Sequence, residues 1–324
     1  MARILITGAT GFIGSHLVRA CLARQDRICV MIRPGSDPWR LVDVVDRIEV
    51  WQVAPDDGDA LRECLRDIHP QTVFLLASST RFGMMMADNA QGLPDEVNRA
   101  FQANVISLSA MLGALADMDD PPQSVVRAGT LAEFGNGPVA KRERPSGLYG
   151  LSALMGTHLL RIWRERTGIA AVTARLCLTY GGDQSRDFLV PGAVHRGLAG
   201  SFAPPRQPDA QRDLLHVDDV VAALLLIADF AAGLPSAVDV ATGWPVRMAD
   251  LAAMIARLTG HDPGVTAAPQ GIQPEDVVSR PPSADLLRLG WLPRVTLEAG
   301  LQQVIDWERQ RRDGGLVSGG MPCI

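Results

Sequence analysis

Residues 2–14, Ala-Arg-Ile-Leu-Ile-Thr-Gly-Ala-Thr-Gly-Phe-Ile-Gly, constrain the fold more than any other stretch of this chain. The apolar run Ile4-Leu5-Ile6 stops at Thr7, glycines recur at 8, 11 and 14, and the amphipathic run Ser15–Leu22 follows. This order predicts a strand, a tight turn and a helix. Glycine lets the backbone bend sharply and approach a ligand, and a helix N-terminus offers unpaired N–H groups and positive dipole character. The turn is therefore suited to a phosphate, with Gly8, Gly11, Phe12, Ile13 and Gly14 as its candidate residues. The spacing is GxxGxxG rather than the usual GxGxxG dinucleotide fingerprint. Its place, directly after a strand and before a helix, says more than the spacing does.

Strand and helix patterns then alternate. Arg27–Arg33, Ile48–Val53, Thr72–Ala77, Ser124–Ala128 and Ile169–Leu178 read as strands, and Gly58–Ile68, Pro94–Met118 and Leu148–Thr167 as helices. The strands are continuously apolar, as in a sheet covered on both faces. With intervening helices this predicts an α/β fold with a doubly wound parallel sheet. After Tyr180 the texture changes to frequent Pro and Gly with short elements, and helices are expected at Asp218–Ala231, Ala249–Leu258 and Leu297–Arg309. Asp218 and Asp219 read as N-caps. The expected division is a dinucleotide-binding domain over 1–180, with 218–243 returning to it. A smaller C-terminal α/β substrate lobe follows over 181–217 and 244–313, and then a flexible tail over 314–324.

Net charge is −5 with no basic block, which argues against nucleic acid as a partner. No apolar run approaches the ~20 residues of a membrane span, and no secretory signal is visible. The five cysteines are scattered, with no CxxC pair and no zinc-like spacing, so no metal is expected. A reduced, cytoplasmic enzyme is the expectation. Lys141 is the only lysine.

Taken together, the chain resembles the extended short-chain dehydrogenase/reductase family, in its nucleotide-sugar epimerase/dehydratase/reductase branch. The carriers are Thr7–Gly14, the Ala103-Asn104-Val105 segment, Thr130–Gly135 (TLAEFG), Tyr149-Gly150-Leu151-Ser152, Arg175–Gly181 (RLCLTYG), Arg212–Asp219 (RDLLHVDD), and Leu289-Gly290-Trp291 through Trp307. The resemblance covers almost the whole chain and implies a Rossmann-type cofactor domain. It implies Tyr149 and Thr130 as catalytic hydroxyls that also bind substrate, Arg212 on a substrate phosphate, and Asp57, Ala77, Asn104 and Tyr149 beside the cofactor. It also implies a homodimer through the two long helices.

Two departures stand out. The lysine of the family's YxxxK element should fall at 153, where this chain has Ala153. A nearby cation favours phenolate over phenol, so its loss bears on Tyr149. Lys141 is eight residues upstream of Tyr149 and cannot replace it on the helix. Three readings stay open: an inactivating replacement, a natural absence with other groups tuning Tyr149, or a relative without turnover. The second departure is at the adenine site. The third strand is followed by Val53-Ala54-Pro55 and then Asp57, without the family's usual Gly-Asp-Leu.

The cofactor expectation is NADP(H), with NAD as the alternative. The second strand ends Ile32-Arg33-Pro34-Gly35-Ser36, without the ribose-binding Asp of NAD-preferring members. Arg33 can pair a 2′-phosphate, and Ser36 adds a hydroxyl. The expected reaction is reduction of a keto group, at C4, of a nucleotide-activated deoxysugar, because a neutral phenol already suits proton donation. The alternatives are an NAD-dependent nucleotide-sugar epimerase and a dinucleotide-binding protein without turnover. Dehydration is disfavoured because Leu131-Ala132 replace the Asp-Glu that follows the catalytic threonine in dehydratases of this family. Glu133 has no assigned role. The Met84–Met86 run is a candidate apolar contact near the substrate mouth.

Overall fold

In strand β1 (Arg3–Thr7), Ile4 and Ile6 enter one apolar layer and Leu5 the other, and all three are buried. The same two-faced burial runs through β2 (Arg27–Ile32), β4 (Thr72–Leu75), β5 (Ser124–Thr130) and β6 (Ala170–Leu176). The edge strand β3 (Glu49–Gln52) instead alternates partly buried with exposed positions. Three short strands follow, β7 (Leu178–Tyr180), β8 (Gln211–Arg212) and β9 (Leu214–His216), before β10 (Ala237–Val240) rejoins the main sheet. The sheet order is β10-β6-β5-β4-β1-β2-β3, and every pair is parallel. This is the Rossmann-type doubly wound sheet expected from the sequence. Its order reverses between β1 and β4, where such sheets open a crevice at their strand ends. The computed structural model describes residues 2–80, 93–135, 143–201, 205–262 and 277–313; Met84–Met86, Lys141 and the 314–324 tail lie outside them.

Helices α1 (Phe12–Ala23), α2 (Gly58–Ile68), α3 (Leu93–Phe101), α4 (Ser107–Ala116) and α5 (Leu148–Thr167) connect the first six strands. Leu61, Leu65, Leu108, Leu112 and Leu160 of α2, α4 and α5 pack on the Leu5 face, where Trp163 Nε1 donates to Leu112 O at 2.8 Å. The other face takes Leu17 and Val18 of α1. After α6 (Leu189–Leu198), it also takes Val220, Leu224 and Ile227 of α7 (Val217–Phe230). A third apolar cluster joins Val190 and Val194 of α6, Leu251 and Ile255 of α8 (Met248–Leu258), and, after the short α9 (Ala284–Arg288), Leu301 and Val304 of α10 (Leu297–Asp313). A small sheet lies in this region, with β8 between β11 (Val246–Arg247) and β12 (Val277–Val278). Among the described residues, no helix is long and apolar enough to cross a membrane, and no group of three His, Cys, Asp or Glu could hold a metal ion.

Three local features differ from the sequence expectation. The 94–118 helix is two helices joined by a π-helical segment, Gln102–Ile106, which apolar periodicity alone does not reveal. The sixth strand stops at Leu176, and Leu178–Tyr180 leaves to pair with β9. Neither Asp218 nor Asp219 caps α7: the His216 side chain does, accepting from Asp218 N. Asp219 is buried instead and accepts the Arg294 and Val295 N–H groups at 2.9 and 3.0 Å.

Candidate active site

The glycine turn is packed to its limit. Gly8 has φ +69°, where L side chains are strained, and a Cβ there would stand 2.6 Å from Ala77 N. A Cβ on Gly14 would stand 2.2 Å from Gly8 O, and one on Gly11 3.1 Å from the same atom. Gly8, Gly11, Gly14 and Ala77 are thereby brought to the β1/β4 crevice. Gly11 caps α1 without a side-chain bond, and the first turn, from Phe12 through Ile13, holds no acidic residue. The N–H groups and the helix dipole are left for an anion, so the residues present fit a dinucleotide pyrophosphate.

At the C-terminal end of β5, Thr130 leads into a single 3-10 turn, Leu131–Phe134. Its hydroxyl accepts from Ala132 N at 3.2 Å, and the Thr130 side chain acts on Tyr149 to lower its pKa. Tyr149 stands in the first turn of α5. That turn approaches closely because residue 150 is glycine: a Cβ there would lie 2.4 Å from Ala132 O. Burial raises the Tyr149 pKa, against lowering by Thr130 and by Arg127, with Glu133 adding to the rise. The phenol is therefore protonated at neutral pH.

Beneath this pair lies a charged cluster that the sequence reading did not assign. Glu133 is fully buried. Its Oε1 accepts Thr130 N at 3.1 Å, and its Oε2 accepts the Thr157 hydroxyl at 2.9 Å and Arg175 Nε at 2.7 Å. Arg175 also pairs with Glu143, and its guanidinium lies 4.7 Å from the Phe134 ring centre. Arg127 of β5, 5 % exposed, donates to Thr157 Oγ1 at 3.1 Å and to Ala153 O at 3.2 Å. Gly129 and Gly156 make the room. A Cβ on the first would lie 2.7 Å from Glu133 Oε1, and one on the second 2.4 Å from Arg127 Nη2. A signal existed in the sequence: Arg127 interrupts an otherwise apolar strand, and period-two alternation puts it on the face of Val125, towards α5.

The family model for the NAD dependent epimerase/dehydratase family matches residues 4–241. The chain belongs to that family. Among its curated relatives, a dTDP-L-rhamnose 4-epimerase of Burkholderia thailandensis is 24% identical, over 96% of this chain and 96% of its own length. A dTDP-6-deoxy-L-talose 4-dehydrogenase (NAD(P)(+)) of Kitasatospora kifunensis is 27% identical, over 95% and 96%. Among solved structures, the UDP-glucose 4-epimerase of Thermotoga maritima superposes with a TM-score of 0.79 at 21% identity, covering 95% of this chain and 99% of that one. The curated relatives place the chain in the nucleotide-sugar oxidoreductase class, with a nicotinamide dinucleotide as cofactor.

The other predicted site residues of this epimerase/dehydratase member are dispersed. Arg33 is exposed just beyond β2, in a turn closed by Ser36 N donating to Arg33 O at 3.1 Å. Asp57 caps α2, accepting from Ala60 N at 3.0 Å. Asn104, in the π segment, accepts from Ser78 Oγ and Ser79 N and donates to Ser79 O and to Ser152 Oγ. All four of its amide positions are used, so it ties the loop after β4 to α5. Arg212 is half-buried on β8, donating to Gln211 O.

Proposed function

We propose that this chain is an NADP(H)-dependent reductase of a keto group, at C4, of a nucleotide-activated deoxysugar. The observation that carries the reading is the placement of Tyr149, in the first turn of α5, against the turn that follows Thr130, where Gly150 packs on Ala132 and burial keeps the phenol protonated. A protonated phenol is the form that a reduction needs, whereas alcohol oxidation needs a base. The reduced nicotinamide, when bound, supplies the hydride. As carbonyl carbon gains that hydride, its oxygen takes the Tyr149 proton, and the Thr130 hydroxyl steadies the developing charge. In this reading 1–180 with 218–243 hold the cofactor. Residues 181–217 with 244–313 hold the sugar nucleotide, and Arg212 reaches one of its phosphates.

Arg33, exposed at the end of β2, supports NADP(H), because its planar guanidinium can pair a 2′-phosphate bidentately. The free, buried thiols Cys21, Cys29, Cys64 and Cys177 suit a reducing, cytoplasmic compartment. Leu151 and Ile162, both 39% exposed on one face of α5, suit a homodimer through that helix.

The test is incubation with NADPH and a panel of 4-keto-6-deoxy sugar nucleotides, with product identification. Stoichiometric NADPH oxidation with a reduced sugar supports the reading. Interconversion of sugar epimers without net cofactor use would replace it with the epimerase reading. Cofactor binding with no product on any sugar would leave a binding protein.

A further inference from the structure

Position 153 is where a helix-borne cation would stand one turn below Tyr149, and it is alanine, 3 % exposed. The space beside it is filled from the sheet. The Arg127 guanidinium enters from β5, donating to Ala153 O and Thr157 Oγ1, and presses on Gly156, which has no side chain to oppose it. Along one face of α5, Tyr149, Ala153, Gly156 and Thr157 thus form a wall with a cationic lining. We propose that Arg127 is the resident cation of this active site. It stands in for a lysine at 153 and stabilises the negative charge left on Tyr149 when the phenol has given up its proton.

The inference rests on Tyr149 as the proton donor of the proposed reductase. Arg127 acts through Tyr149 and is a positioning residue. Among the described residues, the charged groups that act on Tyr149 are Arg127 from β5 and Glu133 from the turn that follows it. Arg175 on β6 reaches the pair through Glu133, and the Asn104–Ser152 bond on the other side is uncharged. Arginine and lysine differ in one respect that matters. Arginine keeps its proton at any pH compatible with folding, so it cannot pass one on. Reprotonation of Tyr149 after each turnover therefore falls to water. The chemistry balances without any added redox partner: the proton leaves Tyr149 for the reduced oxygen, and water returns it.

A test independent of substrate uses the rarity of tyrosine. The chain has two, and Tyr180 is pushed up by burial and by Asp219. Biosynthetic replacement by 3,5-difluorotyrosine, a more acidic phenol, places ¹⁹F labels on these two rings alone, and their titration can be followed in the folded protein. Removing a nearby opposite charge should raise the Tyr149 midpoint by about one pH unit in Arg127→Met. Arg127→Lys should keep it within about half a unit. The relocated cation of Arg127→Met/Ala153→Lys should restore it, and that variant serves where Arg127→Met alone does not fold. The inference is overturned if Arg127→Met moves the midpoint by less than about 0.3 unit, if Arg127→Lys moves it as far as Arg127→Met, or if the relocated lysine leaves it more than about one unit from the parent value. Because no sugar is involved, failure of this titration leaves the reductase reading standing. Failure of the sugar panel, equally, leaves the Arg127–Tyr149 coupling standing.

Discussion

Glu133 and Thr130 are bound to each other through the backbone: the carboxylate accepts the Thr130 N–H at 3.1 Å while the Thr130 side chain acts on Tyr149. The same carboxylate holds Thr157 of α5 and Arg175 of β6. One buried anion thus anchors a turn, a helix and a strand around the proposed proton donor. Glu133→Ala would leave two buried arginines facing each other across an empty site. Breaking a buried pair in this way costs about 3–5 kcal/mol. Urea unfolding should show a loss of that order, and a cost below about 1 kcal/mol would mean that the cluster is dispensable.

The glycine turn gives a second prediction. Gly14→Ala puts a methyl carbon 2.2 Å from Gly8 O, and the nearby atoms are all backbone, so relief requires the loop to move. Overpacking of this kind costs about 1–3 kcal/mol. The N–H groups of the first turn of α1 should shift with the loop and NADPH affinity should fall, read by nucleotide fluorescence titration. Unchanged affinity would place the pyrophosphate elsewhere.

How much was readable before the structure follows from where each constraint resides. The glycine turn is a backbone requirement, written residue by residue, and it was legible. So was α5, bounded by Gly147 and by Gly168 with φ +74°, a left-handed C-cap. The Glu133–Arg127–Arg175 cluster was not, because its value lies in distances between a turn, a helix and two strands. Asp219 misled in the opposite direction. An acidic residue near a helix start reads as a cap, yet this one is drawn inside by two N–H groups some 75 residues later. Asn104 was legible as a residue of note, but the π segment that turns its amide towards Ser152 was not.

Ala153→Lys separates the open readings of the missing lysine. If position 153 merely lost its cation, restoring it should raise turnover. The geometry predicts otherwise, since Arg127 Nη2 lies 3.2 Å from Ala153 O and a second cation would share its buried space. Two like charges in one site disfavour each other. Turnover should stay level or fall, and stability should drop by at least about 1–3 kcal/mol from overpacking alone. A rise in kcat with unchanged stability would show that the cluster had left the lysine position vacant.

The last prediction concerns alkaline stability. Burial pushes the Cys21 and Cys29 thiols up to about 12, with Asp26 and Glu49 respectively adding to the effect, and Cys64 up to about 11. The ordinary value is 9.0. A group whose folded pKa is raised contributes stability that is fully present below its unfolded pKa and is lost as pH climbs through the folded one. The unfolded chain therefore ionises these thiols first, and each costs the folded state about 1.4 kcal/mol by pH 10. The three together should lower stability by roughly 4 kcal/mol between pH 7 and 10. Cys29→Ala and Cys64→Ala should each flatten that slope, whatever they do to stability at pH 7, and an unaltered slope in both would show that the thiols ionise in the folded protein as readily as in the unfolded one.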